Sequence, residues 1–193
     1  MELVFATNNA HKLQEITAMT GKFFTIKSLQ DIHCFDEIPE TGETLEENAL
    51  QKARYVYEKF GCNCFADDTG LEIEALDGAP GVYTARFAGE GCSFDDNIEK
   101  TLSLMQGKAN RTAEFRTVIA CIIDGEEYLF EGGVYGTIAT HKMGDEGFGY
   151  DPIFVPVGYE ESFAQMPMSE KNKISHRARA FKEFMMFLHE ITD

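Results

Sequence analysis

The sequence lacks tryptophan and has few prolines, and none of its hydrophobic runs is long. Of 193 residues, none is Trp and five are Pro. The apolar runs fall far short of the roughly 20 residues of a transmembrane helix. The first residues, Met1–Phe5, contain no basic segment, so we expect no secretory signal peptide. These absences predict a cytoplasmic globular protein that neither spans nor binds a membrane.

Positive charge is also scarce. The chain has 17 Lys and Arg residues against 33 Asp and Glu, which gives a formal net charge of −16. Long nucleic acids bind to basic protein faces, so the composition excludes a nucleic-acid polymer as partner. A small anionic ligand remains compatible with this charge, because a few local cations and a metal ion can hold it.

The cysteines do not form a pattern typical of zinc or redox sites. There are five, and the closest pair, Cys62 and Cys64, is separated by one residue. Zinc and thiol–disulfide sites typically use pairs separated by two residues. We therefore expect reduced, mostly buried thiols.

Common glycine-rich phosphate loops are absent as well, since neither G-x-x-x-x-G-K nor G-x-G-x-x-G occurs. The segment Thr7–Lys12 lies instead between a predicted strand and a predicted helix. Backbone amides and the helix dipole make such a junction attractive to phosphate, and Lys12 adds a positive charge. Taken alone, the segment is more typical of an ordinary asparagine-rich turn. It consists of Thr7, Asn8, Asn9, Ala10, His11 and Lys12.

Two adjacent carboxylates, Asp67 and Asp68, follow the apolar residues Cys64–Ala66. Neighbouring side chains on an extended backbone point to opposite sides, so one carboxylate can face a cleft while the other braces a turn. Carboxylates are the ligands that Mg²⁺ prefers. The alternative is a pair of capping aspartates in a loop. A glutamate from the acidic stretch 37–47 could complete a metal site, but spacing does not select which one.

Two segments near the C-terminus combine aromatic, acidic and cationic side chains. Gly147–Pro152 places rings and a carboxylate on a glycine-rich loop, and Lys171, His176 and Arg177 come at the start of a predicted last helix. Such groups can stack on a base, read its edge and hold phosphate. The alternatives are core packing for the rings and a solvated helix face for the cations.

Hydrophobic periodicity predicts strands and helices that intermix without strict alternation. This order indicates an α/β fold with a mixed sheet flanked by helices. Capping boxes at Thr44–Glu47 and Ser93–Asp96 predict two helix starts, and Gly61 predicts the end of the first of these helices. Further helices are predicted after residue 9 and around 181–191. Strands are predicted at 2–6, 25–29, 64–66, 71–75, 115–124, 127–132, 134–139 and 153–155.

The motifs together resemble those of the inosine triphosphate pyrophosphatase family, also called HAM1-like or RdgB-like. The resemblance covers essentially the whole chain, and the blocks occur in the family's order. They are Thr7–Lys12, Glu40–Gly42 with Glu47–Ala49, Ala66–Leu71, Gly78–Tyr83, Gly147–Pro152, and Lys171 with Ser175–Arg177.

The resemblance implies a HAM1/Maf-like fold, an elongated mixed sheet with two lobes around a central cleft. It implies one domain over residues 1–193, usually as a homodimer. The implied activity is Mg²⁺-dependent hydrolysis of ITP, dITP and XTP to the nucleoside monophosphate and pyrophosphate, which removes these nucleotides from the pool.

The resemblance also implies roles for particular residues. Asp68 corresponds to the catalytic base and a metal ligand, and Glu40 to the second metal carboxylate. Thr69 keeps the hydroxyl of a serine found in many bacterial relatives, and Arg86 falls where a cation contacts the substrate in some relatives. The implied triphosphate contacts are Thr7 to Lys12 and Lys52, and the implied base-recognition set is Phe148, Gly149, Tyr150, Asp151, Lys171, His176 and Arg177.

Two other functions remain open at this point. One is a pyrophosphatase for modified pyrimidine or methylated nucleotides, which would share the cleft and differ in base choice. The other is a non-catalytic nucleotide-binding protein. The Asp67–Asp68 pair with Glu40 disfavours the latter, because binding alone needs no carboxylate to activate water.

Overall fold

A computed structural model describes residues 1–192; Asp193, the last position of the predicted domain, lies outside the described residues. In that range, no helix combines the length and apolar character needed to cross a membrane. The helices are α1 (Ala10–Thr20), α2 (Leu45–Phe60), α3 (Phe94–Met105), α4 (Met168–Ile174) and α5 (His176–Thr192). The strands are β1 (Glu2–Phe5), β2 (Thr25–Lys27), β3 (Cys64–Ile73), β4 (Pro80–Gly81), β5 (Thr112–Ile123), β6 (Glu126–Ile138) and β7 (Phe154–Pro156).

The strands form a mixed sheet in the order β2-β1-β3-β5-β6-β7, with β4 paired to β3. Strand β1 is parallel to both β2 and β3, with Leu3 opposite Ile26 and Val4 opposite Cys64. Strands β4 and β7 pair antiparallel with β3 and β6. The predicted α/β class with a mixed sheet is confirmed.

The chain divides into two compact units, which we call unit 1 and unit 2. Unit 1 comprises Met1–Asp68, Thr117–Gly132 and the residues from Arg177 onward. In its core, apolar residues of β1, α1, β3 and β5 pack with apolar residues of α5. Aromatic packing runs through this core, since Phe65 stacks on Phe5 at 4.5 Å between ring centroids and meets Phe184 at 5.0 Å.

Unit 2 comprises Thr69–Arg116 and Gly133–His176 and has its own core. Phe115, Phe154 and Phe163 pack there, with Phe115 and Phe154 centroids 4.5 Å apart. The His176 imidazole stacks on Phe115 at 4.6 Å with an interplanar angle of 14°. An imidazole ring is therefore packed against the aromatic rings of this core.

The predicted helix caps are confirmed, except for one hydrogen bond. Ser93 and Asp96 form the complete capping box of α3, and Gly61 ends α2 in the left-handed conformation at φ 64°. At α2, Thr44 accepts from Glu47 N at 3.1 Å, but Glu47 Oε2 accepts from Glu43 N at 2.6 Å. The reciprocal bond of this predicted capping box is wrong. The Glu47 carboxylate accepts from the backbone N–H of Glu43, one residue before the N-cap, and not from that of Thr44.

Two predicted breaks between strands are wrong. Residues 67–70 do not form a turn, because β3 continues through both aspartates. The segments 127–132 and 134–139 form one strand, β6, up to Ile138. Gly133 lies within β6 and does not interrupt it. Glycine suits this position because a Cβ here would lie 2.6 Å from Glu114 Oε1, so that only glycine permits the close approach.

Candidate functional site

The first candidate site lies in unit 1 around Asp67, a buried residue of β3 that is 1% exposed. Its Oδ1 lies 3.0 Å from Lys12 Nζ, and its Oδ2 lies 3.0 Å from Arg177 Nε. Burial alone would raise the pKa of Asp67, but Lys12, Arg177 and Lys52 lower it well below its usual range. Asp67 therefore stays ionised and holds two cations in place.

Asp68, the next residue of β3, has the opposite character. It is 8% exposed, and burial raises the pKa of its carboxyl above the usual value. The nearby Glu40 raises this pKa further, while Lys52, Lys12 and a hydrogen bond with Asn48 partly oppose the shift. A carboxylate whose charged form is disfavoured is a better proton acceptor, as expected of a general base.

Lys52 on α2 links these groups. Its Nζ donates to the Asp67 carbonyl oxygen at 2.5 Å and lies 2.5 Å from Glu40 Oε1. Burial would lower the pKa of Lys52, but Glu40, Asp67 and Asp68 raise it overall. A buried, charged lysine thus lies beside both predicted metal carboxylates.

The segment Thr7–Lys12 turns into α1 next to this cluster. Asn9 is the N-cap, and its Oδ1 accepts from His11 N at 3.0 Å and from Lys12 N at 3.3 Å. Asn9 N in turn donates to Thr7 Oγ1 at 3.1 Å. The side chain of Asn9 therefore accepts hydrogen bonds from two backbone N–H groups at the helix start, and these groups are otherwise available to a phosphate. Asn8, Ala10 and His11 are exposed.

Arg177 belongs by its contacts to this first cluster. It is 1% exposed, and besides Asp67 it contacts Glu15, with Nη1 2.5 Å from Glu15 Oε2. The family resemblance implies a base-recognition role for Arg177, and Glu15 is not among the predicted site residues. The sequence did contain an indication that Glu15 is buried, because this residue directly precedes the apolar Ile16 on the buried side of α1.

A second cluster lies in unit 2 and contains Asp151, Lys171 and Phe148. Asp151 Oδ2 lies 2.7 Å from Lys171 Nζ and accepts from Phe148 N at 3.0 Å. Lys171 Nζ is also 4.9 Å from the centroid of the half-buried Phe148 ring. Gly147, at φ 72°, is required here because a Cβ would lie 2.2 Å from Asp151 Oδ2.

The other predicted base-recognition residues of unit 2 are tied to its interior. Tyr150 is buried and donates from its hydroxyl to the Thr84 carbonyl oxygen at 2.7 Å. His176 is buried against Phe115. Lys171 lies on the short helix α4 and not at the start of the last helix, as the sequence predicted. Gly149 has φ 60°, in the left-handed region that favours glycine.

Unit 2 also contains two further residues predicted to contact the substrate, Thr69 and Arg86. Thr69 follows Asp68 on β3 and is half-buried. Arg86 lies in a 3-10 turn, Thr84–Arg86, with its guanidinium 5.3 Å from the Tyr83 ring centroid.

The carboxylates fit a particular kind of magnesium site. Within residues 1–192, no three His, Cys, Asp or Glu side chains are grouped so that they alone could hold a metal ion. Glu40 does lie near enough to Asp68 for its charge to raise the pKa of the Asp68 carboxyl. Mg²⁺ is commonly held by one or two carboxylates, with water and substrate phosphates as the remaining ligands. The donor set fits this arrangement and not an all-protein cage.

Comparison with known proteins identifies the family. Residues 3–187 match the sequence profile of the Ham1 family. The chain belongs to the Ham1 family. Similar Ham1 structures include a Ham1 protein of Staphylococcus aureus, with a TM-score of 0.89 and 37% identity over 98% of this chain and 99% of that one. A HAM1 protein from Coxiella burnetii gives a TM-score of 0.90 at 35% identity, with the same coverage.

Curated relatives of this Ham1 chain are similar over nearly their whole length. A protein of Flavobacterium johnsoniae named dITP/XTP pyrophosphatase is 49% identical over 97% of this chain and 98% of its own length. A Bacillus subtilis protein of the same name is 45% identical, over 97% and 96%. The predicted family and fold class are confirmed.

Proposed function

We propose that the chain is a nucleoside-triphosphate pyrophosphatase that hydrolyses dITP, ITP and XTP to the nucleoside monophosphate and pyrophosphate. The contrast between Asp67 and Asp68 carries the proposal. One aspartate is fixed by ion pairs with Lys12 and Arg177, while its buried neighbour interacts electrostatically with Lys52, Lys12 and Glu40. The relatives named dITP/XTP pyrophosphatase support the substrate class.

The residues of unit 1 account for the chemistry. Lys12 and Lys52 offset the negative charge of the triphosphate, whose self-repulsion otherwise opposes attack. Asp68 accepts a proton from a water molecule whose oxygen bonds to the α-phosphorus. The bond between the α-phosphorus and the bridging oxygen then breaks, and its electron pair leaves with pyrophosphate. Asp67 remains ionised throughout and keeps Lys12 and Arg177 in position.

We infer that Glu40 and Asp68 would hold Mg²⁺ when it binds with the nucleotide. When bound, the ion supplies Lewis-acid neutralisation of the phosphate oxygens. Lys52, 2.5 Å from Glu40 Oε1, keeps that carboxylate oriented.

Base choice is assigned to the cluster of unit 2. Lys171 can only donate hydrogen bonds, which suits the O6 acceptor of hypoxanthine or xanthine and mismatches the amino group of adenine. Asp151 holds the lysine at 2.7 Å, and the Phe148 ring offers a face for the base. A site built on hydrogen bonds rejects such a mismatch strongly. We further propose a cytoplasmic homodimer, as the family resemblance implies.

A nucleotide panel with Mg²⁺ tests the function, with pyrophosphate and orthophosphate measured separately. We expect IMP and pyrophosphate in equal amounts from ITP, and little turnover of ATP or of modified pyrimidine nucleotides. Orthophosphate release with accumulation of IDP would contradict the assignment. Activity should vanish in EDTA and return with Mg²⁺; full activity in EDTA, or rescue by Zn²⁺ alone, would contradict the metal proposal.

A further inference from the structure

The segment from Thr84 to Cys92, which we call the Arg86 loop, has little regular structure of its own. A 3-10 turn ends at Arg86, and Gly89 and Gly91 follow with φ 117° and 69°. Such a segment is ordinarily mobile. Its backbone is nevertheless held by side chains from elsewhere in unit 2.

Asn97 on α3 provides two of these backbone contacts and also contacts one side chain of the loop. It is 2% exposed, and its Oδ1 accepts from Ala88 N at 2.8 Å. Its Nδ2 donates to the Ala85 carbonyl oxygen at 3.2 Å, and Cys92 Sγ lies 3.2 Å from Oδ1. One amide thus joins residues on both sides of Arg86.

Two further side chains complete the attachment. Lys100, one turn after Asn97, donates from Nζ to the Phe87 carbonyl oxygen at 2.7 Å and lies 4.3 Å from the Phe87 ring centroid. Tyr150 donates to the Thr84 carbonyl oxygen at 2.7 Å. Backbone groups of the two residues before Arg86 and of the two after it are therefore all bound from outside the loop.

The side chain that this backbone presents is a cation in a strongly acidic chain. The net charge is −16, yet among residues 1–192 no carboxylate forms an ion pair with the half-buried Arg86. Its guanidinium lies 5.3 Å from the centroid of the Tyr83 ring. By contrast, Arg54, Arg116 and Arg177 each contact a glutamate or aspartate.

We propose that Asn97 is a positioning residue that clamps the Arg86 loop, so that the guanidinium of Arg86 is held ready for an anionic nucleotide. The inference rests on the proposed function, in which Arg86 contacts the substrate. An amide that binds both Ala85 and Ala88 fixes the backbone on either side of Arg86. The cation then loses little freedom when the nucleotide arrives, which favours binding and orientation.

Amide hydrogen exchange tests the clamp independently of enzymatic activity. In Asn97→Ala, the amides of residues 84–92, Ala88 above all, should exchange about tenfold faster or more, because their attachment is lost. Thr101→Val is the matched control: Thr101 is buried on the same helix and donates to the Asn97 carbonyl oxygen at 2.8 Å. It should leave exchange in the loop unchanged. Unchanged exchange in Asn97→Ala would overturn the clamp.

Kinetics test whether the clamp acts through Arg86. With XTP, Asn97→Ala should lower kcat/KM about 10- to 100-fold, the scale of a misplaced substrate contact. In an Arg86→Ala background the same change should cost less than about threefold, because coupled residues are non-additive. Fully additive losses would overturn the proposed link.

The two proposals can fail separately. A wild-type protein that releases no pyrophosphate from any purine triphosphate would refute the proposed function, whatever the exchange data show. If Asn97→Ala does not fold, Asn97→Asp is measured in the same two ways, because it keeps the acceptor for Ala88 N and cannot donate to Ala85. Unchanged exchange and kinetics in that variant would equally overturn the inference.

Discussion

The two units hold their buried charges in different ways. In unit 1, Asp67 lies between Lys12 and Arg177, and the adjacent Asp68 has a raised pKa. In unit 2, the buried ion pair between Asp151 and Lys171 lies beside aromatic rings. The first arrangement suits phosphate charge and water activation, and the second suits a flat base with hydrogen-bonding edges. The following variants test this division.

The largest expected effect is on turnover, from Asp68→Asn. The amide cannot accept a proton from water, so kcat should fall about 10²- to 10⁴-fold, the usual contribution of a positioned base. Because the change lies in unit 1, ITP and ATP should lose activity equally. Steady-state kinetics with both substrates measures this. Activity within threefold of wild type would move the role of base to another residue.

The next effect is on stability, from Asp67→Ala. Removing this carboxylate leaves the half-buried Lys12 and the buried Arg177 without their shared partner, which should lower the free energy of unfolding by about 3–5 kcal/mol. Urea denaturation at neutral pH measures it. Since folding lowers the pKa of Asp67, its stabilisation is present above the ordinary carboxyl range and is lost in stronger acid. Asp68→Asn is the control and should not lower stability, because burial already disfavours its charge.

A smaller effect concerns base choice and compares one buried lysine from each unit. Lys171→Met should reduce the preference for ITP over ATP by about 1–3 kcal/mol, the value of one buried polar contact. Lys52→Met should lower kcat/KM for both substrates and leave their ratio unchanged. Ratios of kcat/KM for the two nucleotides give the answer. If both variants change the ratio equally, the division between the units is wrong.

The smallest effect compares the two helix caps. Thr44→Ala in unit 1 and Ser93→Ala in unit 2 should each lower the free energy of unfolding by about 0.5–2 kcal/mol. The Ser93 change should cost more, because its capping box is complete whereas Glu47 binds a different amide. Thermal or urea unfolding resolves the difference. Equal losses would show that the reciprocal bond adds nothing.

Local patterns in the sequence predicted much of the fold. The apolar stripe and Gly61 predicted α2, and Ser93 predicted the start of α3, because caps and periodicity act within a few residues. The extents of β3 and β6 could not be predicted in this way. Their continuity depends on pairing with distant strands and on a close approach at Gly133, which short-range propensity does not register.

For the candidate site, the sequence by itself determined which motifs are present and which family they resemble. Only the tertiary structure decided that Asp67 is paired while Asp68 has a raised pKa, and that Arg177 contacts Asp67 and Glu15. The physical reason is that charges interact over a few ångströms regardless of separation along the chain. Asp67 and Arg177 are 110 residues apart in sequence and 3.0 Å apart in space, so only the folded chain distinguishes two adjacent aspartates.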